Sequence, residues 1–358
     1  GPPPTPMQVD VFVSGTEGYH TFRIPALLAS PKGTLLAFCE GRKTSRADHG
    51  DVDLVLKRSH DGGKTWGPLQ LVYEEGGTAK ITIGNPCPVV DRETGTIWLP
   101  FTRDNDDVLV THSRDDGQTW AKPVVITASV KKPGWTWYAT GPGIGIQLRH
   151  GAHRGRLLIP CDHRGPLEGE RSATYSHVIY SDDHGQTWKL GGVVAPHTNE
   201  CQVAELSDGT LVINMRNYWG RDGKEPAKGN RRAVALSRDG GLSWTDLRFD
   251  ATLIEPVCQA GLLGVAGPEN QDWLIFSNPA STTQRHRLTL RLSRDGGRSW
   301  PHERVLEPGP AAYSCLAELP GGDVGCLYER GSQHPYEKIT LARFPPAWLA
   351  EAKPKATE

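Results

Sequence analysis

The sequence predicts an all-β chain wound as a six-bladed β-propeller with Asp-box hairpins, and three observations carry that prediction. An eight-residue phrase recurs five times: SHDGGKTW from Ser59, SRDDGQTW from Ser113, SDDHGQTW from Ser181, SRDGGLSW from Ser237 and SRDGGRSW from Ser293. Its starts are 54, 68, 56 and 56 residues apart, room for four short strands and their turns, which is one propeller blade. Between the boxes lie short β-rich runs bounded by Gly, Pro and Lys turns, such as YHTFRIPALLAS and GTLLAFCEGR.

Each box keeps Ser first, Asp third, Gly fifth, Ser or Thr seventh and Trp last, in a chain with only 11 Trp. That order is the chemistry of a hairpin tip. The carboxylate accepts backbone N–H groups, Gly takes the positive φ, and Trp returns on the next strand to pack beneath. Asp61, Asp115, Asp183, Asp239 and Asp295 are therefore expected to hold turns and take no part in chemistry.

Composition agrees with one large unit: 358 residues, 37% hydrophobic, 41 Gly, 28 Pro and a formal charge of −1. No global field would recruit nucleic acid or an anionic membrane, and no segment approaches the roughly 20 apolar residues of a membrane span. The seven cysteines form no CxxC pair and sit beside apolar residues, as buried free thiols do. The opening GPPPTP before Met7 reads as a trimmed start, so a secreted or periplasmic chain with its leader removed and a cytoplasmic one both stay open. The expected division is residues 1–8 as a disordered lead, 9–347 as the propeller and 348–358 as a frayed tail.

In chain order, Arg23 lies between Phe22 and Ile24 in a run heading for the core, where it must be paired or kept for a ligand. The loop from Gly41 carries Arg42 and Asp48. Its further acids Asp51 and Asp53 lack the glycine turn and closing Glu of a calcium loop. Asn85 precedes a proline on an apolar strand end. The third blade is longest, and its Trp135, Trp137 and Tyr138 suit either a sugar-stacking floor or inter-blade packing. Glu200 and Arg216 stand at the ends of apolar strands, where they meet each other or a substrate. Lys224 to Arg232 reads as an exposed polar excursion, and Arg285, Arg287 and Arg291 fall on one strand face by parity. The last strand is expected to pair with the N-terminal segment and close the ring.

Arg23, Asp48, Glu200, Arg216, Arg285, Tyr313 and Glu329 are spread from the first blade to the last, and only a closed ring gathers them at one axial funnel. Three guanidinium groups there would trap a carboxylate.

FRIP at 22–25 with the five boxes resembles the sialidase (neuraminidase) family of exo-acting glycoside hydrolases, over essentially the whole chain. NPCP, ECQVAEL, the Arg that follows it and AYSCL also look like segments of that family's catalytic domain. The resemblance implies that Arg23, Arg216 and Arg285 are the triad that clamps a sialic acid carboxylate, with Arg285 preferred to Arg287 from the pattern R-x-x-L. It implies Glu329 as the acid holding Arg23, Asp48 as general acid/base kept protonated by its surroundings, Tyr313 as nucleophile and Glu200 as its base. Arg42 and Asn85 match positions near the ring substituents. The implied activity is hydrolysis of terminal α-ketosidically linked sialic acids on glycans, with retention through a tyrosyl intermediate and without metal or cofactor. Rival readings are a hydrolase preferring the deaminated sugar acid and a non-catalytic box propeller that binds glycans or proteins. One departure stands out: the family's tyrosine-rich segment for the glycerol tail reads PCDHR here, Pro160 to Arg164.

Overall fold

Short β-rich runs, apolar along most of their length and cut by Gly, Pro and Asx turns, give strands that are buried on both faces as blades pack together. The computed structural model describes residues 5–353. Among the described residues the paired strands are all antiparallel, in five sheets arranged as in a propeller. The first holds Thr21–Ala29, Leu35–Arg42, Val52–Ser59 and Gln70–Tyr73 in that order. The next three begin on the inner strands Ile83–Gly84, Trp137–Thr140 and Thr198–Glu205. The fifth sheet has seven strands, because the 17-residue strand His302–Glu318 pairs with His286–Ser293 through its first part and with Val324–Arg330 through its second. Where six separate blades were expected, the described residues form four sheets of four or five strands and one of seven.

The chain ends meet as anticipated: Met7–Val13 pairs with Lys338–Phe344 as the edge of the seven-stranded sheet. Val11 and Phe12 then pack with Phe22, Leu27, Cys315, Leu327 and Leu341 in one apolar cluster that joins the first sheet to the last. Similar clusters fill each seam onward, for instance Phe38 and Leu56 against Leu99 and Phe101, and Trp98 and Val110 against Ile159 and Trp188. The packed region is wider than the expected 9–347. Met7 and Gln8 are already in a strand, and the short helix Pro346–Ala350 buries Leu349. Of the two expected tails, residues 1–4 and 354–358 lie outside the described residues. No helix among the described residues is long and apolar enough to cross a membrane.

The boxes are hairpin tips. In the first, Asp61 Oδ1 accepts from the Thr65 N–H at 2.9 Å and the Ser59 hydroxyl at 2.8 Å, Asp61 Oδ2 accepts from the Thr65 hydroxyl at 2.5 Å, and the Gly63 N–H donates to Ser59 Oγ at 2.9 Å. These local donors, the Thr65 hydroxyl foremost, hold the Asp61 carboxyl down to about 2. The box glycine also keys its blade to the preceding one. Gly185 has φ 87°, and a Cβ there would lie 2.1 Å from the Trp98 ring.

Candidate active site

Glu329 is the first fixed point. It has no exposure, and four N–H groups converge on its two oxygens: Arg23 Nε and Nη2, both at 2.9 Å, and the backbone N–H groups of Ile24 and Tyr313, both at 3.0 Å. The register of Thr21–Ala29 breaks between Arg23 and Ala26, with Ile24 at φ 67°, and this break turns the Ile24 N–H toward the carboxylate. The Arg23 guanidinium lies 4.0 Å from the centre of the Tyr336 ring and 4.6 Å from that of Tyr313. Buried but with its carboxylate partner in place, it stays charged, its pKa raised by Glu329 against the opposing effect of burial.

Tyr313 is the hub. Its hydroxyl lies 2.8 Å from both Glu200 oxygens and 3.2 Å from Arg216 Nη1, which itself donates to Glu200 at 2.6 Å. Arg285 sits 5.5 Å from the Tyr313 ring centre and donates to the Tyr336 hydroxyl at 2.9 Å. Burial and the Glu200 charge push the phenol well above its usual pKa, and the three arginines do not offset them. Arg23, Arg216, Arg285, Glu200, Glu329 and Tyr313, separated by as many as 306 positions, are thereby brought together.

Arg42 and Asp48 border this group. Arg42 is buried, donates twice to Glu40 Oε1 at 2.9 and 3.1 Å, and reaches Asp48 Oδ1 at 3.0 Å. Asp48 also lies 3.6 Å from Arg23 Nη1, with 70% of its side chain exposed. Burial raises the Asp48 pKa, but the Arg42 and Arg23 charges outweigh that and hold it below the usual carboxylate range. The expectation of a carboxyl kept protonated by its surroundings is corrected accordingly: the two cations favour its anion. Asn85, at φ 56°, donates its N–H to Glu40 Oε2 at 2.9 Å and its side-chain amide to Thr102 at 2.9 Å.

Other readings change. Trp135 stacks face to face on His163, centroids 3.4 Å apart, and Tyr138 is fully buried, so both pack the third sheet, while half-buried Trp137 lies 5.7 Å from the His49 ring. Parity fails for the three arginines because Arg287 takes φ 61° beside a register shift. It is exposed, whereas Arg291 is buried against Glu303. Arg232 is no surface loop residue: it is fully buried in the strand Arg231–Ser237 and donates to Asn214 and to the Cys258 carbonyl, both at 2.7 Å. All seven cysteines are buried, and burial pushes every thiol up, which leaves no activated thiolate. Sequence reasoning missed Glu40 and Tyr336. Glu40 was visible as an acid inside the apolar run AFCEG, while nothing local marks Tyr336.

Comparison with known proteins bears on the repeat, the fold and the family. Residues 33–326 match the BNR repeat-like domain. The chain is 37% identical over 374 residues to a sialidase of Micromonospora viridifaciens, covering 98% of this chain and 55% of that protein. It is 31% identical to Sialidase-2 of Mus musculus, covering 91% and 93% of the two. Among solved structures, the Hadza microbial sialidase Hz136 superposes with a TM-score of 0.84 at 30% identity, over 96% of this chain and 69% of that one. The chain thus spans just over half of its bacterial relative and nearly all of its mouse relative. On repeat, fold and sequence together, the chain belongs to the sialidase family.

Proposed function

We propose that the protein is an exo-sialidase that releases terminal α-linked sialic acids from glycans with retention, by way of a covalent bond to Tyr313. The observation that carries this reading is the contact of the Tyr313 hydroxyl with both Glu200 oxygens at 2.8 Å, beneath three guanidinium groups. Most retaining glycosidases attack with a carboxylate, but sialidases with a tyrosine nucleophile are an exception. Electrostatics gives the reason. A sialic acid bears its own carboxylate on the anomeric carbon, which repels an ionised Asp or Glu but not a neutral phenol. With its pKa pushed up, the phenol needs a base at the moment of attack, and Glu200 takes that proton.

Arg23, Arg216 and Arg285 clamp the substrate carboxylate, and Glu329 keeps Arg23 oriented. Asp48 protonates the departing glycosidic oxygen and later deprotonates the water that frees the sugar. A substrate carboxylate on Arg23 neutralises one of the two cations that favour the Asp48 anion, and the sugar covers its exposed face. Both changes raise the Asp48 pKa and supply the proton when it is needed. Arg42 and Asn85 border the ring substituents. The residues need no metal or organic cofactor for these steps. We count the seven-stranded sheet as two blades that share His302–Glu318, which gives six blades in one catalytic domain. The register shift between Ala311 and Ser314 supports the count.

A fluorogenic sialoside assayed with wild type and Tyr313→Phe tests the reading. Expected are turnover by wild type and a loss in kcat of at least about 10³-fold in the variant, about 4 kcal/mol of barrier. An inactive wild type, or a fully active variant, would overturn it.

A further inference from the structure

One buried acid next to this site has no part in the scheme above. Asp162 belongs to the PCDHR segment, on the strand Leu157–Leu167 of the third sheet, and is 1% exposed. It faces the start of Thr198–Glu205, whose pairing is interrupted between Thr198 and Cys201, so Asn199 and Glu200 have no ladder partners. Successive side chains of an extended chain point opposite ways. Glu200 turns to Tyr313, and Asn199 turns to the third sheet, where its amide donates to Asp162 Oδ2 at 3.1 Å. Ser176, the cross-strand partner of Asp162, donates its hydroxyl to the Asn199 carbonyl and its N–H to Thr198 Oγ1 at 2.9 Å. Three bonds from one sheet therefore hold the irregular segment of the next, and only the Asp162 bond involves a group that titrates.

We propose that Asp162 is a positioning residue for Glu200: its carboxyl grips Asn199 and keeps the irregular segment aimed at Tyr313, and its ionisation sets a second negative charge against Glu200, which disturbs that alignment. This rests on the reading of Glu200 as the base for Tyr313. The groups that face Asp162 are Glu200 and Cys201 across the seam, Tyr138 and Cys161 in its own sheet, and Arg216 and Tyr218 beyond Glu200. Arg216 is the one cation among them, and it is already bonded to Glu200. Beyond Asn199 and the Trp137 side chain no donor serves the Asp162 carboxyl among the described residues, and its Oδ1 makes no hydrogen bond, so an anion there would be buried, poorly satisfied and next to a second anion. Burial and the Glu200 charge together push this carboxyl well above the usual range, against the weaker pulls of Arg216 and of the Trp137 and Asn199 donors.

The test is a pH profile of kcat and kcat/KM on the fluorogenic sialoside for wild type, Asp162→Ala and Asp162→Asn, with melting temperatures of all three across the same pH range. Alanine removes the grip and is expected to lower kcat about tenfold with KM little changed. Asparagine keeps a neutral acceptor for Asn199, so it restores most of kcat and carries the alkaline limb to higher pH, since it cannot ionise. Melting gives a readout independent of turnover. A carboxyl whose folded pKa lies above its unfolded value near 3.9 keeps a proton that the unfolded chain has released, so the Asp162 contribution to wild-type stability falls as pH rises from about 4. The melting temperature of Asp162→Asn must therefore gain on wild type with rising pH. A variant as impaired as alanine, an unmoved alkaline limb, or a melting difference that stays flat would each overturn the proposal. A wild type without turnover would sink the functional reading instead, while the melting comparison still decides whether Asp162 is neutral.

Discussion

The box carboxylates and the axial carboxylates are the same chemical group put to opposite uses. Asp115 is held by its own hairpin: the Ser113 hydroxyl and the Thr119 N–H reach one oxygen at 2.8 Å each, and the Thr119 hydroxyl reaches the other at 2.5 Å. Every partner lies within four residues. Glu329 is held by Arg23, 306 residues away, and by the Tyr313 N–H, 16 residues away. A carboxylate satisfied locally needs only its hairpin to form, whereas one satisfied across the ring needs the whole ring closed. The first kind builds the scaffold, and the second ties the candidate site to the ring's completion.

Substitutions should separate the two kinds. Glu329→Ala leaves Arg23 buried without its partner and two backbone N–H groups unsatisfied. It should cost about 3–5 kcal/mol of unfolding free energy and abolish turnover, measured by denaturant melts and sialoside assay. A variant as stable as wild type would break the comparison. Gly185→Ala drives a methyl into the Trp98 ring and should cost about 1–3 kcal/mol without changing kcat in the protein that remains folded. Asp115→Ala should be milder, about 1 kcal/mol, again with kcat unchanged. Its pH dependence sharpens the contrast. Burial raises the Asp115 carboxyl, but the bonds from Thr119 and Ser113 together outweigh it and hold the group below its usual range. Its contribution is therefore present above the unfolded value near 3.9 and is lost as pH falls through the lower folded value. The stability gap between wild type and Asp115→Ala should accordingly close in acid, and a gap that widens there would contradict the assignment.

The same local-versus-distant distinction explains what was legible in the sequence. The boxes could be read outright, because their contacts run between residues i and i+4 and leave a fixed spelling. The expensive residues Arg23, Glu200, Arg216, Tyr313 and Glu329 showed themselves as polar groups in apolar runs, though which of them meet was readable only through the family resemblance. Parity failed at Arg287 because one residue with positive φ breaks the strand alternation on which parity depends. Arg232 looked like part of a surface loop because its buried partners, Asn214 on a neighbouring strand and Cys258 in the connection before Gly261–Ala266, are distant in sequence. Tyr336 carries no signal at all, since its place against Arg23 and Arg285 exists only after the last blade has closed. The ionisation of Asp48 was misjudged for the same reason: its nearest cations, Arg42 and Arg23, come from two neighbouring strands.

The most direct test of the central claim is to trap the intermediate. Incubation with an activated fluorinated sialic acid that forms the glycosyl–enzyme bond but releases slowly, followed by peptide mass spectrometry, should place the adduct on Tyr313. An adduct on Glu200 or Asp48, or none on an enzyme that turns over its substrate, would contradict the account.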